Sequence, residues 1–259
     1  EIIRMFPGAV FRVFVIRPPE RGKINVYDGT GADVTYGSLS NLRAAYRLWR
    51  FGRSNRGALF HGFNTGPFFL FVLRLAGVRK TVYSVRGTRH YSNGFQKLSR
   101  RVLWSLAITR RSGFIANSDY SRDVFVSYLP RVKSRIRVIY NPVYSDRIRV
   151  SDVPVAAGGL NIIYVGRLTE GKNLFRWIDI AAEIHRVRGD ARFHLFGDGP
   201  LKGRLMEYSR AAAMDDCLFF RGYVQDLSEI YTGADLMLFL SEYESFGNVV
   251  VESILYETP

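Results

Sequence analysis

Short apolar runs alternate with longer amphipathic segments along most of the chain. The runs are bounded by polar or glycine-bearing turns, which is typical of buried parallel strands. Strands are predicted over residues 11–16, 58–60, 81–85, 113–116, 136–140, 161–165, 191–196, 217–220 and 236–240, with a further extended piece over 23–27. Helices are predicted from residue 42, over 67–75, over 96–110, from 119, over 174–187, 201–214 and 227–231, and from about 248. This alternation predicts an α/β fold in which helices cover parallel sheets.

The alternation stops once, near the middle of the chain. Residues 143–159 contain Pro154 and the pair Gly158-Gly159, a composition typical of a linker. We therefore predict an N-terminal domain over 1–145, a linker over 146–160 and a C-terminal domain over 161–259. Two Rossmann-like halves that face each other across a linker favour a ligand cleft between them. The chain ends in the middle of an expected αβ unit, so we expect a piece of a longer protein, truncated at both ends.

The helix that starts near residue 42 is amphipathic and strongly basic. Its apolar positions at helical spacing are Leu42, Ala45, Tyr46 and Trp49. Its remaining positions include Arg43, Arg47, Arg50 and Arg53. A helix of this kind can lie on an anionic membrane surface. The alternative is that the apolar face packs on the sheet and the arginines are solvated.

Composition excludes several classes of protein. With 259 residues, 47% hydrophobic and 23% charged, the chain is long and apolar enough to form two packed domains rather than a disordered segment. A single cysteine, Cys217, excludes an internal disulfide framework, and four scattered histidines give no metal-ligand cluster. There is no signal-peptide pattern and no apolar run near eighteen residues. We therefore expect a cytoplasmic protein.

The net charge of +14 is unevenly distributed. Residues 1–158 carry 27 basic and 8 acidic side chains, whereas residues 159–259 carry 10 and 15. A basic half favours anionic partners, namely membrane lipids, a phosphate-bearing acceptor or nucleic acid. No RNA-binding or helix-turn-helix motif accompanies the charge, so nucleic acid is not expected. The alternative is a solvated basic surface.

The loops of the second half point to one edge of its sheet. Ligands of open parallel sheets bind beyond the carboxyl ends of the strands. The predicted strands there run into the segments Gly166-Arg167-Leu168, Gly197-Asp198-Gly199-Pro200, Arg221-Gly222-Tyr223 and Ser241 to Gly247. Arg167 and Lys172, five residues apart before a helix, can neutralise a diphosphate as it leaves. The alternative is that these cations pair with Glu170 or with solvent.

Two glutamates surround the start of the last helix. Glu244 precedes the turn Phe246-Gly247-Asn248, and Glu252 lies eight residues after Glu244, inside the helix. The first amides of a helix are unpaired and attract phosphates, while carboxylates bind sugar hydroxyls. The alternative is that both are ordinary charges at a helix start, favoured by its dipole.

The ordered set of these motifs resembles glycosyltransferase family 4, the retaining "group 1" enzymes of the GT-B fold. The resemblance rests on Gly166-Arg167-Leu168, Lys172-Asn173, Gly197-Asp198-Gly199-Pro200, Phe220 with Gly222, and Glu244 with Glu252. It covers 161–259 well and the first half more loosely, through His61, Arg86-Gly87, Ala116-Asn117-Ser118 and Val138 to Pro142.

The resemblance implies roles for individual positions. Arg167 and Lys172 match the binders of the donor diphosphate, Glu244 the acid that holds the donor sugar, and Glu252 the acid that holds the nucleotide ribose. Donor contacts are also implied for Gly166, Gly197, Tyr223, Val224, Phe246, Gly247 and Asn248. His61 and Arg86 are candidates for the acceptor or phosphate side; Arg86 stands where many members have a histidine. No metal and no cofactor are implied.

The sequence therefore predicts a retaining, metal-independent hexosyltransferase that uses a nucleotide sugar, UDP- or GDP-linked. Its acceptor would be lipid-linked or a polysaccharide, in cell-envelope or exopolysaccharide synthesis at the inner face of a membrane. We expect the isolated piece to be poorly active or inactive. The alternative is a non-catalytic module that binds nucleotide sugars or anions, and a GT-B epimerase is disfavoured by the paired glutamates.

Overall fold

The computed structural model describes residues 12–15, 33–36, 41–63, 65–87, 94–142, 159–224, 226 and 230–259. The chain divides into two compact units, Glu1–Ile139 and Tyr140–Pro259, here named the N-terminal and the C-terminal unit. The elements of the N-terminal unit are β1 (Arg12–Val15), β2 (Asp33–Tyr36), α1 (Asn41–Ser54), β3 (Leu59–Phe63), α2 (Pro67–Leu75), β4 (Lys80–Val85), α3 (Gly94–Ala107), β5 (Ser112–Ala116), α4 (Asp119–Tyr128) and β6 (Ile136–Val138). Those of the C-terminal unit are β7 (Asn161–Val165), α5 (Leu174–Val187), β8 (Arg192–Phe196), α6 (Lys202–Ala211), β9 (Leu218–Gly222), β10 (Leu236–Met237) and α7 (Asn248–Leu255).

The N-terminal unit is built on a parallel sheet in the order β3-β4-β5-β6, with β1 and β2 forming a separate parallel pair. Local signals place its helices. Pro67 opens α2 after Gly66, and the Ser118 hydroxyl accepts a hydrogen bond from the Ser121 amide at 3.0 Å at the start of α4. Ser118 is thus the N-cap of α4. An aromatic core formed by Trp104, Phe114, Tyr83 and Phe125 lies beneath the helices.

The C-terminal unit has a parallel sheet in the order β10-β7-β8-β9. Its centre is a fully buried core in which Trp177 of α5 meets Phe193 of β8 and Tyr164 of β7. Because all four strands run in the same direction, their carboxyl ends share one edge, as the sequence predicted. This edge carries the candidate site.

Several predicted boundaries shift. β3 runs on to Phe63, paired with Ser84 of β4, so His61 lies inside the strand and not in the loop after it. β9 likewise runs on to Gly222. The predicted strand 236–240 shortens to Leu236–Met237, because side chains of α5 and of the loop before it take the carbonyls of Leu238 and Leu240 that a longer ladder would use.

The packed face of α1 differs from the predicted one. Leu42 and Tyr46 are 79% and 60% exposed, and Trp49 is exposed as well. The helix instead buries Ala44, Leu48 and Gly52, where a Cβ on Gly52 would lie 3.0 Å from the Leu73 side chain of α2. The absence of a side chain at Gly52 lets α1 approach α2 closely, and this contact selects the face that also carries Ala44 and Leu48. The interpretation in which the predicted apolar face packs on the sheet is therefore wrong for Leu42 and Tyr46, whereas Ala45 does pack against the core.

Other differences are small. Helices α3 and α6 end before the predicted Arg110 and Met214, β6 ends before Tyr140, and the strand β2 was not predicted. The predicted extended piece 23–27, nearly all of the linker 146–160 and most of the predicted helix 227–231 lie outside the described residues. In the part of the chain that the structure describes, no helix is both long and apolar enough to cross a bilayer.

Candidate functional site

The loop after β7 is shaped by a buried tyrosine beneath it. The Tyr164 hydroxyl donates to the Arg167 carbonyl at 3.1 Å, and a Cβ on Gly166 would lie 2.7 Å from that hydroxyl. Burial and then the nearby Glu244 carboxylate raise the pKa of Tyr164, so the phenol keeps its proton. The Arg167 side chain is exposed and makes no hydrogen bond or ion pair with the residues that the structure describes. Gly166 and Tyr164 thus fix the backbone of the loop, and the Arg167 guanidinium is exposed at the edge of the sheet.

The loop after β8 packs directly against the loop after β7. Gly197 has a φ of 134°, which favours glycine, and a Cβ there would lie 1.9 Å from the Gly166 carbonyl oxygen. The Leu168 amide donates to the Asp198 carbonyl at 3.0 Å, and the Gly197 amide donates to the Gly222 carbonyl at 2.6 Å. Three strand ends are therefore held against one another by backbone contacts.

An ion pair joins the loop after β7 to the loop after β10. The Lys172 ammonium donates to the Glu244 carboxylate, and both side chains are largely buried. The Glu242 amide donates to the Gly171 carbonyl at 3.2 Å, and the Asn173 side chain donates to the Leu240 carbonyl at 3.0 Å. Glu170, the alternative partner from sequence, pairs with Arg204 instead. Lys172 and Glu244 therefore meet, as residues of one site should.

Helix α7 begins at this same loop. Gly247 precedes it with φ 78° and ψ 53°, a left-handed conformation that turns the chain sharply into the helix. The Asn248 side chain accepts a hydrogen bond from that of Asn141 at 2.8 Å, and the Phe246 ring lies 6.2 Å from that of Tyr140. The first amides of α7 are available to an anion beside Glu244.

Glu252 lies on α7, one to two turns after its start. The Tyr231 hydroxyl approaches its Oε2 at 3.3 Å and the Val249 carbonyl at 3.1 Å. Burial raises the pKa of Glu252, whereas the hydrogen bond from Tyr231 lowers it. Among the described residues no hydrogen bond or ion pair links Glu252 to Lys172 or Glu244. The structure therefore brings Lys172 and Glu244 into contact, but not Glu252 with either of them.

Tyr223 and Val224 follow β9 at the same edge of the sheet. Tyr223 is 80% exposed, and Val224 packs against the small cluster around Ile163 and Tyr231.

The remaining predicted pair, His61 and Arg86, lies in the N-terminal unit. His61 Nε2 is 2.8 Å from the Ser84 hydroxyl. Partial removal of the ring from water, and then the charge of Arg86, lower the pKa of His61. His61 and Arg86 therefore share the carboxyl side of β3 and β4.

Sequence reasoning missed three residues of this site. Tyr164 and Tyr231 sit inside or beside apolar runs, so periodicity assigns them to the core, which is where their rings lie. Asn173 was noted only as part of a motif, but its left-handed backbone, φ 53°, starts α5. Asparagine tolerates that conformation better than most residues, and this preference is the signal that could have found it.

The structure describes no group of three or more His, Cys, Asp and Glu side chains that could hold a metal ion. What it does describe is Arg167, the Lys172–Glu244 ion pair and a helix start on one sheet edge of the C-terminal unit, with Glu252 further along that helix. This set can bind a ligand that combines negative charge with hydroxyl groups.

Comparison with known proteins agrees with that chemistry. The model of Glycosyltransferase Family 4 matches residues 9–147, and that of Glycosyl transferases group 1 matches residues 152–259. A curated relative, 2-deoxystreptamine glucosyltransferase of Streptomyces kanamyceticus, is 25% identical over 165 residues, which is 59% of this chain. The chain spans only 43% of that relative's length.

Two solved structures are similar in fold. Anabaena HepE in complex with UDP-glucose has a TM-score of 0.75 at 21% identity, covering 90% of this chain and 67% of that one. WaaG, a glycosyltransferase involved in lipopolysaccharide biosynthesis, has a TM-score of 0.76 at 15% identity, covering 100% and 73%. At these identities the likeness shows the fold, that of the GT-B glycosyltransferases. With more than half of the chain matched by one family model and most of the remainder by the other, the chain belongs to glycosyltransferase family 4, the group 1 glycosyltransferases.

Proposed function

We propose that this chain carries the donor site of a retaining hexosyltransferase that moves a sugar from a nucleotide sugar to a lipid-linked or polysaccharide acceptor. The observation that carries the proposal is the Lys172–Glu244 ion pair, which joins two loops at the carboxyl edge of the sheet beside Arg167 and the start of α7. Family membership supports glycosyl transfer. HepE, solved with UDP-glucose, and WaaG, named for lipopolysaccharide biosynthesis, favour this donor class and a cell-envelope glycan.

Each side chain has a task in this proposal. Arg167 and Lys172 neutralise the diphosphate as its bond to the sugar breaks, together with the first amides of α7. Glu244 accepts hydrogen bonds from sugar hydroxyls, and Glu252 does so from the ribose. With two cations and a helix start at the leaving group, the transfer proceeds without a bound metal.

The donor base is left to main-chain contacts near Tyr223 and Val224, and we propose uracil before guanine because of the likeness to HepE. The acceptor side lies in the N-terminal unit, around His61 and Arg86. Its basic helix α1 holds the enzyme at the inner face of a membrane. The support for this is that Leu42, Tyr46 and Trp49 are exposed among arginines.

The test is donor binding and turnover by the full-length gene product, using UDP-glucose, other UDP-sugars and GDP-mannose. Lys172→Ala and Glu244→Gln should each lower transfer by about 10²- to 10³-fold, as the loss of one preorganised charge does. Lys133→Ala and Glu183→Gln, which remove the same charges elsewhere, should leave transfer unchanged. Near-normal activity in both site variants would refute the donor site. Tight nucleotide binding without transfer to any acceptor would favour a non-catalytic module.

A further inference from the structure

We propose that a pocket at the amino-terminal edge of the sheet in the N-terminal unit binds phosphate groups. The pocket has a volume of about 450 Å³, and its lining includes Arg74, Arg79, Arg110 and Arg111. It lies where β4 starts at Lys80 and β5 at Ser112. Arg86 follows the opposite end of β4, and His61 lies midway along the neighbouring β3, so this pocket is separate from the acceptor side.

The walls of the pocket are fixed to one another by Thr109. Its hydroxyl donates to the Arg79 carbonyl at 2.9 Å and accepts from the Arg111 amide at 3.2 Å. The Thr109 amide donates to the buried Ser112 hydroxyl at 3.0 Å. Thr109 therefore ties the loop before β4 to the loop before β5 and brings together the backbone positions that carry Arg79 and Arg111.

The guanidinium groups divide into anchored and available ones. Arg74 donates to the Leu106 carbonyl, and Arg135, just outside the pocket, donates to the Thr109 carbonyl at 2.6 Å. The side chains of Arg79, Arg110 and Arg111 are exposed and make no hydrogen bond or ion pair with the residues that the structure describes. Three forked donors thus remain for a ligand.

Nothing in the surrounding sequence neutralises this charge. Residues 41–142 contain 20 Lys and Arg but only two acids, Asp119 and Asp123. Both acids pair with Arg122 on α4. Burial, and then the uncompensated charges of Arg135 and Arg74, lower the pKa of the adjacent Arg131. A bound anion would relieve this repulsion, which a purely structural arginine cluster would leave in place.

Phosphate is the anion that fits these donors. Arginine forks bind phosphate oxygens in pairs, and a volume of this size lies within the range of small-ligand pockets. A phosphate group can come from a lipid headgroup or from a soluble phosphorylated compound. The chemistry of recognition is the same, so the source has to be decided by experiment.

The first experiment measures pyrophosphate binding by calorimetry on full-length protein saturated with UDP, so that the proposed donor site is occupied. Arg110→Gln/Arg111→Gln should weaken pyrophosphate binding at least about tenfold, the loss expected for one charge-assisted hydrogen bond. Arg186→Gln/Arg188→Gln in the C-terminal unit, where both side chains are exposed, is the matched control with equal loss of charge, and it should change binding by less than about twofold. Arg110→Lys/Arg111→Lys keeps the charge without the forks and should bind with intermediate affinity.

The second experiment measures binding to phosphatidylcholine vesicles with and without phosphatidylglycerol. A loss of phosphatidylglycerol-dependent binding in Arg110→Gln/Arg111→Gln identifies a lipid headgroup as the source. Unchanged vesicle binding, with pyrophosphate binding lost, identifies a soluble phosphate. Equal weakening in the two glutamine variants in both experiments, or no binding of either probe, would overturn the pocket. Failure of UDP to bind would count against the donor site only, because the pyrophosphate comparison between variants remains valid.

Discussion

Tyr231 holds Glu252 from the buried side of α7: the phenol oxygen lies 3.3 Å from Glu252 Oε2 and 3.1 Å from the Val249 carbonyl. Tyr231 is itself fixed, since it is 1% exposed and stacks on the Tyr256 ring at 5.3 Å. Its single hydroxyl proton is shared between the Val249 carbonyl and Glu252 Oε2, which keeps that carboxylate oxygen inward and leaves the other for a ligand. In this arrangement Tyr231 is a positioning residue for the proposed ribose contact.

Tyr231→Phe should weaken UDP binding by about three- to tenfold, the value of one ordinary hydrogen bond, because the hydroxyl is shared with the Val249 carbonyl. The hydrogen bond lowers the pKa of Glu252, so its removal raises that pKa further. The loss of UDP affinity on acidification should then move to higher pH, which calorimetry over a pH series can measure. Tyr208→Phe removes a hydroxyl that binds a carboxylate elsewhere, Asp179, and is the control. An unchanged pH profile in Tyr231→Phe would contradict the positioning role.

How far the sequence could predict this molecule depends on which interactions decide each feature. Parallel strands and the edge that carries the site follow from periodicity and glycine-bearing loops, and both were predicted. The packed face of α1 was not, because close approach to α2 at Gly52 selects the face that also carries Ala44 and Leu48. The ion pair between Lys172 and Glu244 joins residues 72 positions apart, and no local pattern records such a contact.

Gly197→Ala should disrupt the site more than any change of charge. The new Cβ would meet the Gly166 carbonyl oxygen at 1.9 Å, and φ 134° is strained for alanine. Backbone would have to move on both loops, so we expect a loss of more than about 3 kcal/mol in unfolding free energy, together with loss of UDP binding. Chemical denaturation measures the first and calorimetry the second.

Gly203→Ala is the matched control for this substitution. Gly203 lies in α6 with no atom within 4 Å of its would-be Cβ. Alanine there should stabilise the protein by up to about 1 kcal/mol, because it restricts the unfolded chain. Equal effects of the two substitutions would show that Gly197 and Gly166 do not touch.

The Lys172–Glu244 pair should contribute measurably to the stability of the free protein. Both side chains are less than one-third exposed, 20% and 28%, so solvent screens them only in part. A double-mutant cycle with Lys172→Met and Glu244→Gln should give a coupling energy of about 1 kcal/mol in unfolding free energy. The cycle reports the pair itself, since each single variant is compared with the double. A coupling energy of zero would mean that the two loops are held by the Glu242–Gly171 backbone hydrogen bond and the Asn173 side chain, without a contribution from the ion pair.

His194 should make the stability of the protein depend on pH. It is fully buried in β8, accepts a hydrogen bond from Arg221 on Nδ1 at 3.1 Å and stacks on Phe219. Burial, and then the charges of Arg221 and Arg192, lower its pKa from 6.5 to about 4. The unfolded chain then binds more protons than the folded one between these values. Stability should therefore fall by about 3 kcal/mol as the pH drops from about 6.5 to about 4.

Denaturation at a series of pH values tests this dependence. His194→Gln should remove most of the slope between pH 6.5 and 4. Phe219→Leu removes the stacking partner without removing a titrating group, so it should lower stability and keep the slope. If His194→Gln has the same slope as the original protein, another group is responsible.

Leu42→Ser together with Tyr46→Ser should weaken binding to vesicles that contain phosphatidylglycerol while leaving the fold intact. Leu42 is 79% exposed and Tyr46 60%, so their loss removes little packing. Transferring two such side chains to a membrane interface contributes more than about 1.4 kcal/mol, and we therefore expect at least about a tenfold loss of partitioning.

Leu48→Ala is the control, and it should affect stability and not partitioning. Leu48 is 5% exposed, so its truncation should cost about 2–4 kcal/mol in unfolding free energy and leave partitioning unchanged below the unfolding temperature. If the serine variant destabilises the protein and partitions normally, α1 is covered by protein and does not face the membrane.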